Sequence, residues 1–199
     1  LIHIKGGTHD IDRDLTIDPS NITLQLDGDA TLHVAADKTL TIDADITGQG
    51  SLTKTGDGTL VLNGDNTFGG GTPDITVEAG TVAGHAEALG GAAAHTIDVQ
   101  SGAALRIVQG NDVNAKNGAS GVDNKGAGTL GATLTGAGTI EKTGDDILTL
   151  TAPDTTHDGL FIVSEGTVET TGTGALGDAS TVEIYGSHNL SSAGGTLDI

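Results

Sequence analysis

Residues 48–62 read GQGSLTKTGDGTLVL, and the same pattern returns 88 positions later, at 136–150, as GAGTIEKTGDDILTL. The match continues downstream, where the segments at 78–82 and 88–90 return at 164–168 and 175–177. Two copies of one long unit therefore cover most of residues 48–199. A long unit that holds several strands and repeats along the chain is typical of a solenoid, in which each copy stacks on its neighbour.

Short strand-like units precede the first copy. Leu15, Leu24, Leu32 and Leu40 each begin a unit of alternating apolar and polar residues, and the units start nine, eight and eight positions apart. Alternation with a period of two predicts half-buried strands. Helical patterns are nearly absent, and only residues 85–89 could hold a helical turn.

The composition favours a narrow interior built from small aliphatic side chains. The chain has 33 glycines among 199 residues, no tryptophan, and aromatic residues make up 2%. We therefore predict an all-β fold, a parallel β-solenoid with roughly 20–25 residues per coil and about eight to ten coils.

The domain organisation follows from the two periods. We predict one β-helix over residues 1–199, a piece of a longer chain, since no initiator methionine precedes Leu1. Within it, residues 1–47 form short-period coils and residues 48–135 form the first long repeat. A polar insertion at 109–128 interrupts that repeat, and residues 136–199 form the second one.

Charge and cysteine content exclude several classes of protein. The formal net charge is −19, from 27 acidic and 8 basic residues, which argues against binding to nucleic acid or to anionic membrane surfaces. The chain has no cysteine, so disulfides and thiolate metal sites are excluded. No apolar run approaches the length of a membrane-spanning helix, and we expect no direct membrane insertion by this segment.

A family resemblance rests on residues 50–72, GSLTKTGDGTLVLNGDNTFGGGT, with the segments at 75–82 and 88–90 following in the same order. This pattern resembles the passenger-associated repeat of bacterial autotransporters, and the resemblance extends over about residues 47–199. The second copy departs from the pattern at 151–159, TAPDTTHDG, which replaces the usual Asn-Thr-aromatic-Gly-Gly turn.

The resemblance implies a right-handed β-helix that type V secretion carries to the bacterial cell surface. It also implies a C-terminal translocator barrel in the full-length chain and no cofactor. The translocator itself is not recognisable in these residues, and no serine-protease motif occurs among them.

Acidic residues and histidines are the candidates for chemistry, and each has a plainer explanation. Carboxylates cluster at Asp10, Asp12, Asp14 and Asp18, and the spacing lets Asp18 stack with Asp43. Such a pair could cleave sugars or bind a cation weakly, but solvated turn residues explain it equally well. The seven histidines lack paired metal-ligand spacing. We therefore assign no catalytic, cofactor-binding or metal-binding residue.

Two surfaces remain as candidate contact sites. Insertions in solenoids map to loops that project from one face, so the insertion is a possible contact loop or an unselected flexible one. Its candidate residues are Asn111, Asp112, Asn114, Lys116, Asn117, Asn124 and Lys125. Threonine recurs at strand positions expected to point outward, and a polar face is predicted to include Thr16, Thr41, Thr53, Thr149 and Thr167. The plain alternative is that threonine serves β-propensity and solubility.

Three functions are compatible with these features. The first is a non-catalytic adhesin segment that mediates aggregation, biofilm formation or host attachment; its partners are copies on neighbouring cells or host surface molecules. The second is a structural stalk or autochaperone region that supports passenger folding and secretion. The third, a glycan-active β-helix enzyme, is disfavoured because only Phe68, Phe161 and Tyr185 could serve as aromatic sugar platforms.

Overall fold

The computed structural model describes residues 1–18, 22–70, 73–111, 121–152, 156–171, 176, 181–185 and 189–192. These residues form 23 strands, numbered in chain order: β1 (Ile2–Ile4), β2 (Gly7–Ile11), β3 (Leu15–Ile17), β4 (Leu24–Leu26), β5 (Ala30–Val34), β6 (Thr39–Ile42), β7 (Ile46–Gly48), β8 (Leu52–Thr55), β9 (Thr59–Leu62), β10 (Thr67–Phe68), β11 (Ile75–Val77), β12 (Thr81–Gly84), β13 (Thr96–Val99), β14 (Ala104–Val108), β15 (Gly128–Leu130), β16 (Thr133–Gly136), β17 (Thr139–Thr143), β18 (Ile147–Leu150), β19 (Thr156–His157), β20 (Leu160–Val163), β21 (Thr167–Thr170), β22 (Thr181–Ile184) and β23 (Asn189–Ser192).

The strands assemble into four parallel sheets that run along the solenoid. Sheet 1 has the order β1-β4-β7-β10, and sheet 2 has the order β2-β5-β8-β11-β13-β16-β19. Sheet 3 has the order β3-β6-β9-β12-β14-β17-β20-β22, and sheet 4 has the order β15-β18-β21-β23. Sheet 4 takes the place of sheet 1 in the chain order of the later coils. The predicted all-β parallel solenoid is confirmed.

The coil length also agrees with the prediction. Ile2, Leu24 and Ile46 lie in register at 22-residue intervals, and strands of consecutive coils pair in parallel. The solenoid has about seven turns, slightly fewer than the eight to ten we predicted. One coil is long because the insertion lies within it, so Leu105 pairs with Ile140, 35 positions later. The extra residues lengthen that coil and do not form another turn, which lowers the number of turns.

A single helical turn separates sheet 1 from sheet 4. The Leu89 N–H donates to the carbonyl oxygen of His85, and the Gly91 N–H donates to that of Ala86. This turn lies at the position where the sequence pattern allowed one. It occupies the part of its coil that forms a strand of sheet 1 in the earlier coils.

The two long repeats lie on different faces of the solenoid. Strand β8 of the first copy belongs to sheet 2, whereas its sequence equivalent β17 belongs to sheet 3. The next equivalent pair, β9 and β18, belongs to sheets 3 and 4. Each element of the second copy is therefore advanced by one face, because the coil with the insertion shifts the phase of the chain. The predicted division at residues 47/48 and 135/136 stays a prediction.

The core consists of inward-facing aliphatic rows. Buried and partly exposed residues alternate along the strands, as in β5 and β13. Leu60, Val82, Leu105, Ile140 and Phe161 stack in one such row of sheet 3, and each is at most 1% exposed. Each buried aliphatic side chain of this size contributes roughly 1.5–3 kcal/mol.

Replacing Leu105 by alanine tests this row. We expect the free energy of unfolding to fall by about 2–5 kcal/mol, because the fully buried side chain would leave a cavity between two neighbouring coils. Urea denaturation measures the change. The control is Thr129→Ala, at a half-buried position on sheet 4. Its free energy of unfolding should change by less than about 1 kcal/mol. Equal losses in the two variants would contradict the assignment of this row as core.

Candidate interaction surface

A continuous row of threonines crosses the outer face of sheet 2. Seven residues pair strand by strand: Thr8, Thr31, Thr53, Thr76, Asp98, Thr135 and Thr156. We call this row the threonine ladder. None of its members is buried. Neighbouring strands of a sheet lie about 4.8 Å apart, so the ladder spans about 29 Å.

The residues beside the ladder hold its edges in place. Asp29 Oδ1 accepts hydrogen bonds from the Ser51 N–H (3.0 Å) and from Ser51 Oγ (2.9 Å). These bonds hold the pKa of the Asp29 carboxyl below its ordinary value. Within the ladder, Thr135 Oγ1 donates to Asp98 Oδ1 at 2.8 Å. Beside it, His33 Nδ1 lies 3.1 Å from Thr55 Oγ1. The surface is thus a regular array of hydroxyl groups, with the carboxylates of Asp29 and Asp98 beside and within it.

The five threonines predicted from the sequence do not share one face. Thr53 belongs to the ladder on sheet 2. Thr16 and Thr41 pair with each other on sheet 3, and Thr149 and Thr167 lie on sheet 4. The sequence analysis missed the other five threonines of the ladder. Strand alternation marks each of them as outward, but only the register shows that they are neighbours.

The insertion is partly described, and its described part packs against the protein. We call residues 121–127 the arm. Asn124 and Lys125 lie on the arm and Asn111 lies beside it, whereas Asp112, Asn114, Lys116 and Asn117 fall outside the described residues. The arm lies over the outer face of sheet 3, where Val122 packs against Val61, Ala83 and Val108. In this part, therefore, the insertion does not project from the solenoid. A contact role for these residues stays a prediction.

Polar contacts hold the arm at Asn124 and Lys125. The Gly110 N–H donates to the carbonyl oxygen of Lys125 at 2.6 Å, and Asn124 Nδ2 donates to Asn111 Oδ1 at 2.6 Å. The Asn111 N–H donates to Asp145 Oδ1 at 2.7 Å, and this bond holds the pKa of Asp145 below its ordinary value. Lys125 Nζ lies 3.8 Å from Asp65 Oδ1, an exposed pair that adds little stability.

Each long repeat buries a lysine that the sequence analysis had passed over. Lys54 Nζ donates to the carbonyl oxygens of Thr55 (2.8 Å), Gly56 (2.6 Å) and Ala79 (3.1 Å). In the second copy, Lys142 Nζ donates to the carbonyl oxygens of Thr143 (2.9 Å), Gly144 (2.5 Å) and Glu165 (3.1 Å). The three N–H groups of each ammonium thus donate to three backbone carbonyl oxygens. In each copy these bonds supply partners for the carbonyl groups at one corner of the coil.

We call the two carbonyl-lined sites of Lys54 and Lys142 the lysine cages. The sequence contained a signal for them. Lys54 lies two positions after Leu52, so the alternation of the strand places both side chains inward. The register confirms this, because Lys54 pairs with Leu32 on one side and Val77 on the other. Burial lowers the pKa of Lys54 to about 8, and the negative charge of Asp57 opposes this shift.

The carboxylates and histidines of the described residues form no metal site. No group of three or more His, Asp or Glu residues in this part of the chain is arranged to hold a metal ion. Asp18 and Asp43 follow the paired residues Ile17 and Ile42, as their spacing suggests. Asp43 Oδ1 accepts a hydrogen bond from Asn63 Nδ2 at 2.7 Å, which gives this carboxylate a structural contact. The described residues contain no helix long and apolar enough to cross a membrane.

Comparison with known families adds a match at the two lysine cages. Residues 52–83 and 140–169 each match the passenger-associated-transport-repeat. The chain fits an autotransporter passenger domain. No curated protein and no solved structure matches the chain. The matched repeat family implies secretion to the cell surface and suggests a structural, non-enzymatic segment.

The lysine cage around Lys54 predicts an unusual pH dependence. The pKa of Lys54 is about 8 in the folded chain, against an ordinary value of 10.5. Between these values the unfolded chain binds more protons than the folded one, so stability rises with pH. We expect the unfolding free energy of the native chain, minus that of Lys54→Met, to rise by on the order of 1–3 kcal/mol from pH 7.5 to pH 10.

Urea denaturation at several pH values measures this difference. Lys38→Met, altered at a partly exposed lysine, is the control and should show a constant difference from the native chain. A constant difference for Lys54→Met as well would show that the cage keeps its lysine charged throughout.

Proposed function

We propose that this passenger segment is a non-catalytic adhesin, displayed outside the cell on the bacterial surface, and that the threonine ladder is its contact surface. Its partner is a second copy on a neighbouring cell or a host surface molecule, and the outcome is aggregation, biofilm formation or host attachment. The observation that carries the proposal is the unbroken row of seven outward polar residues on sheet 2.

The chemistry of the ladder suits contact between identical surfaces. A threonine hydroxyl both donates and accepts hydrogen bonds, so a row of hydroxyls is complementary to a second such row. A two-fold contact brings the same patch of both copies together, which requires this kind of self-complementarity. Six of the seven ladder residues are uncharged threonines, so the ladder itself adds little to the repulsion between copies.

The expected affinity of one pair of ladders is low. Each direct or water-mediated hydrogen bond contributes about 0.5–1.5 kcal/mol net, and association has an entropic cost of at least about 4 kcal/mol. The net charge of −19 adds long-range repulsion between copies. Adhesion between two cells therefore requires many ladders in parallel, as multivalency allows. It should strengthen when salt screens the charge or acid protonates the carboxylates.

A structural role is the second candidate, and the two lysine cages favour it. The cages lie within the matched repeats and satisfy backbone carbonyls between coils, which is a scaffold function. On this alternative the segment is a stalk or an autochaperone region that supports passenger folding and secretion. Both candidates predict a stable rod, so only a binding measurement separates them.

Paired substitutions test the ladder directly. Thr53→Lys with Thr76→Lys changes two neighbouring residues of the ladder, and Thr129→Lys with Thr149→Lys changes two neighbouring threonines on sheet 4. Both variants gain the same charge, so a general charge effect alters both equally. We expect the native chain and the sheet 4 variant to associate reversibly at high salt, and the ladder variant to associate at least about tenfold more weakly.

Sedimentation velocity between pH 4 and pH 8, at low and high salt, measures the association. Equal weakening of both variants would remove the ladder from the proposal. A monomer under every condition, at the highest protein concentration reached, would exclude self-association between single segments, and would leave the stalk or adhesion to another partner.

A further inference from the structure

The outer face of sheet 3 carries an apolar strip under the arm, formed by Val61, Ala83 and Val108. These side chains belong to a separate cluster outside the main core and are at most 2% exposed. The second repeat provides a comparison, because Val61 corresponds to Thr149 and Ala83 corresponds to Glu169. No arm covers those positions among the described residues, and both are polar. The apolar strip therefore matches the arm that lies over it.

Asn63 is the principal polar contact between the strip and the arm. Its Nδ2 donates to the Gly121 carbonyl oxygen at 2.6 Å and to Asp43 Oδ1 at 2.7 Å. Its Oδ1 accepts from the Asp123 N–H at 2.9 Å. The side chain is 6% exposed, and its equivalent in the second copy is Thr151, which lacks an amide. Asn63 thus joins the arm to a strand that lies about 60 positions earlier in the chain.

The residue after Asn63 is a glycine that packing requires. A Cβ atom on Gly64 would lie 2.4 Å from the carbonyl oxygen of Ala44, so a side chain there would collide with the previous coil. The dipeptide Asn-Gly is the one in which the following backbone nitrogen reaches the amide carbon with least steric hindrance. The packing of this corner therefore keeps a reactive dipeptide at the contact that holds the arm.

We propose that Asn63 is a modification site, and that its deamidation releases the arm from the apolar strip. The backbone nitrogen of Gly64 attacks Cγ of Asn63, and its proton leaves with the amide group as ammonia. The product is a succinimide, which water opens to aspartate or isoaspartate. No oxidant, metal or enzyme is required.

The new carboxylate reverses the contacts of the arm. An oxygen takes the place of Nδ2, and it faces two acceptors, the Gly121 carbonyl and the Asp43 carboxylate. The contact with the Asp123 N–H survives, because a carboxylate also accepts. Two hydrogen bonds are thus replaced by repulsion, at a place where the Asp43 carboxylate already lies within hydrogen-bonding distance of the Asn63 side chain. While the arm is docked, its hydrogen bonds hold the Asn63 side-chain amide in place and slow the attack by the Gly64 nitrogen.

Hydrogen exchange of the arm tests the first half of the proposal. We expect Asn63→Asp to raise the exchange rates of backbone amides at 121–127 by about tenfold or more. Gln49→Glu is the charge-matched control, because it exchanges an exposed amide for an acid outside the arm and its contacts, and it should leave these rates unchanged. Unchanged exchange in Asn63→Asp would overturn the proposal.

Ageing of the chain at mildly alkaline pH tests the second half. Peptide mass mapping should show the exchange of amide for acid at position 63, and Asn63→Thr should abolish it. The double variant Val61→Thr with Ala83→Glu carries the residues of the second copy, weakens docking of the arm and should accelerate the conversion. The other Asn-Gly pair, Asn117–Gly118, serves as an internal clock. If Asn117 converts fully while Asn63 stays an amide even in the double variant, Asn63 is not a modification site.

Discussion

Parallel backbone hydrogen bonding between consecutive coils is the constraint on which the rest of this structure depends. Outside the coil with the insertion, strands of neighbouring coils pair about 22 residues apart, so each inward position stacks on the same position of its neighbours. Inward positions therefore favour apolar side chains, and an inward ammonium group must find its hydrogen-bond partners inside the coil. Lys54 and Lys142 meet this condition, because each ammonium group binds three carbonyl oxygens at a corner of the coil.

The same constraint explains a pairing between glycine and a ring in both repeats. Phe68 pairs with Gly48 in the first copy, and His157 pairs with Gly136 in the second. Both glycines have positive φ, and a Cβ on Gly48 would lie 2.2 Å from the Leu26 carbonyl oxygen. Each pairing places a buried ring beside a position that has no room for a side chain. His157 meets this need at 0% exposure, although its two ring nitrogens have no hydrogen-bond partner in the structure.

Outward positions are free of this constraint, and there the two repeats differ. The first copy has Val61 and Ala83 beneath the arm, whereas the second has Thr149 and Glu169 at the equivalent positions. Sheet 2 keeps threonine at the same outward position through most of its strands. One backbone arrangement therefore supports an exposed polar face and a covered apolar face side by side. The stacking of the coils leaves the surface open to variation.

The sequence by itself determined the fold class, the coil length and the repeat, because alternation and period follow directly from the spacing of strand residues. It also marked Thr53 as outward and residues 109–128 as an interruption. Only the tertiary structure decided which threonines are neighbours, and that the second repeat is advanced by one face. The reason is physical: the insertion takes up a length of chain that is not a whole number of coils, and the sequence does not record where that chain lies. The arm, the apolar strip and the contact at Asn63 likewise depend on packing between residues about 60 positions apart.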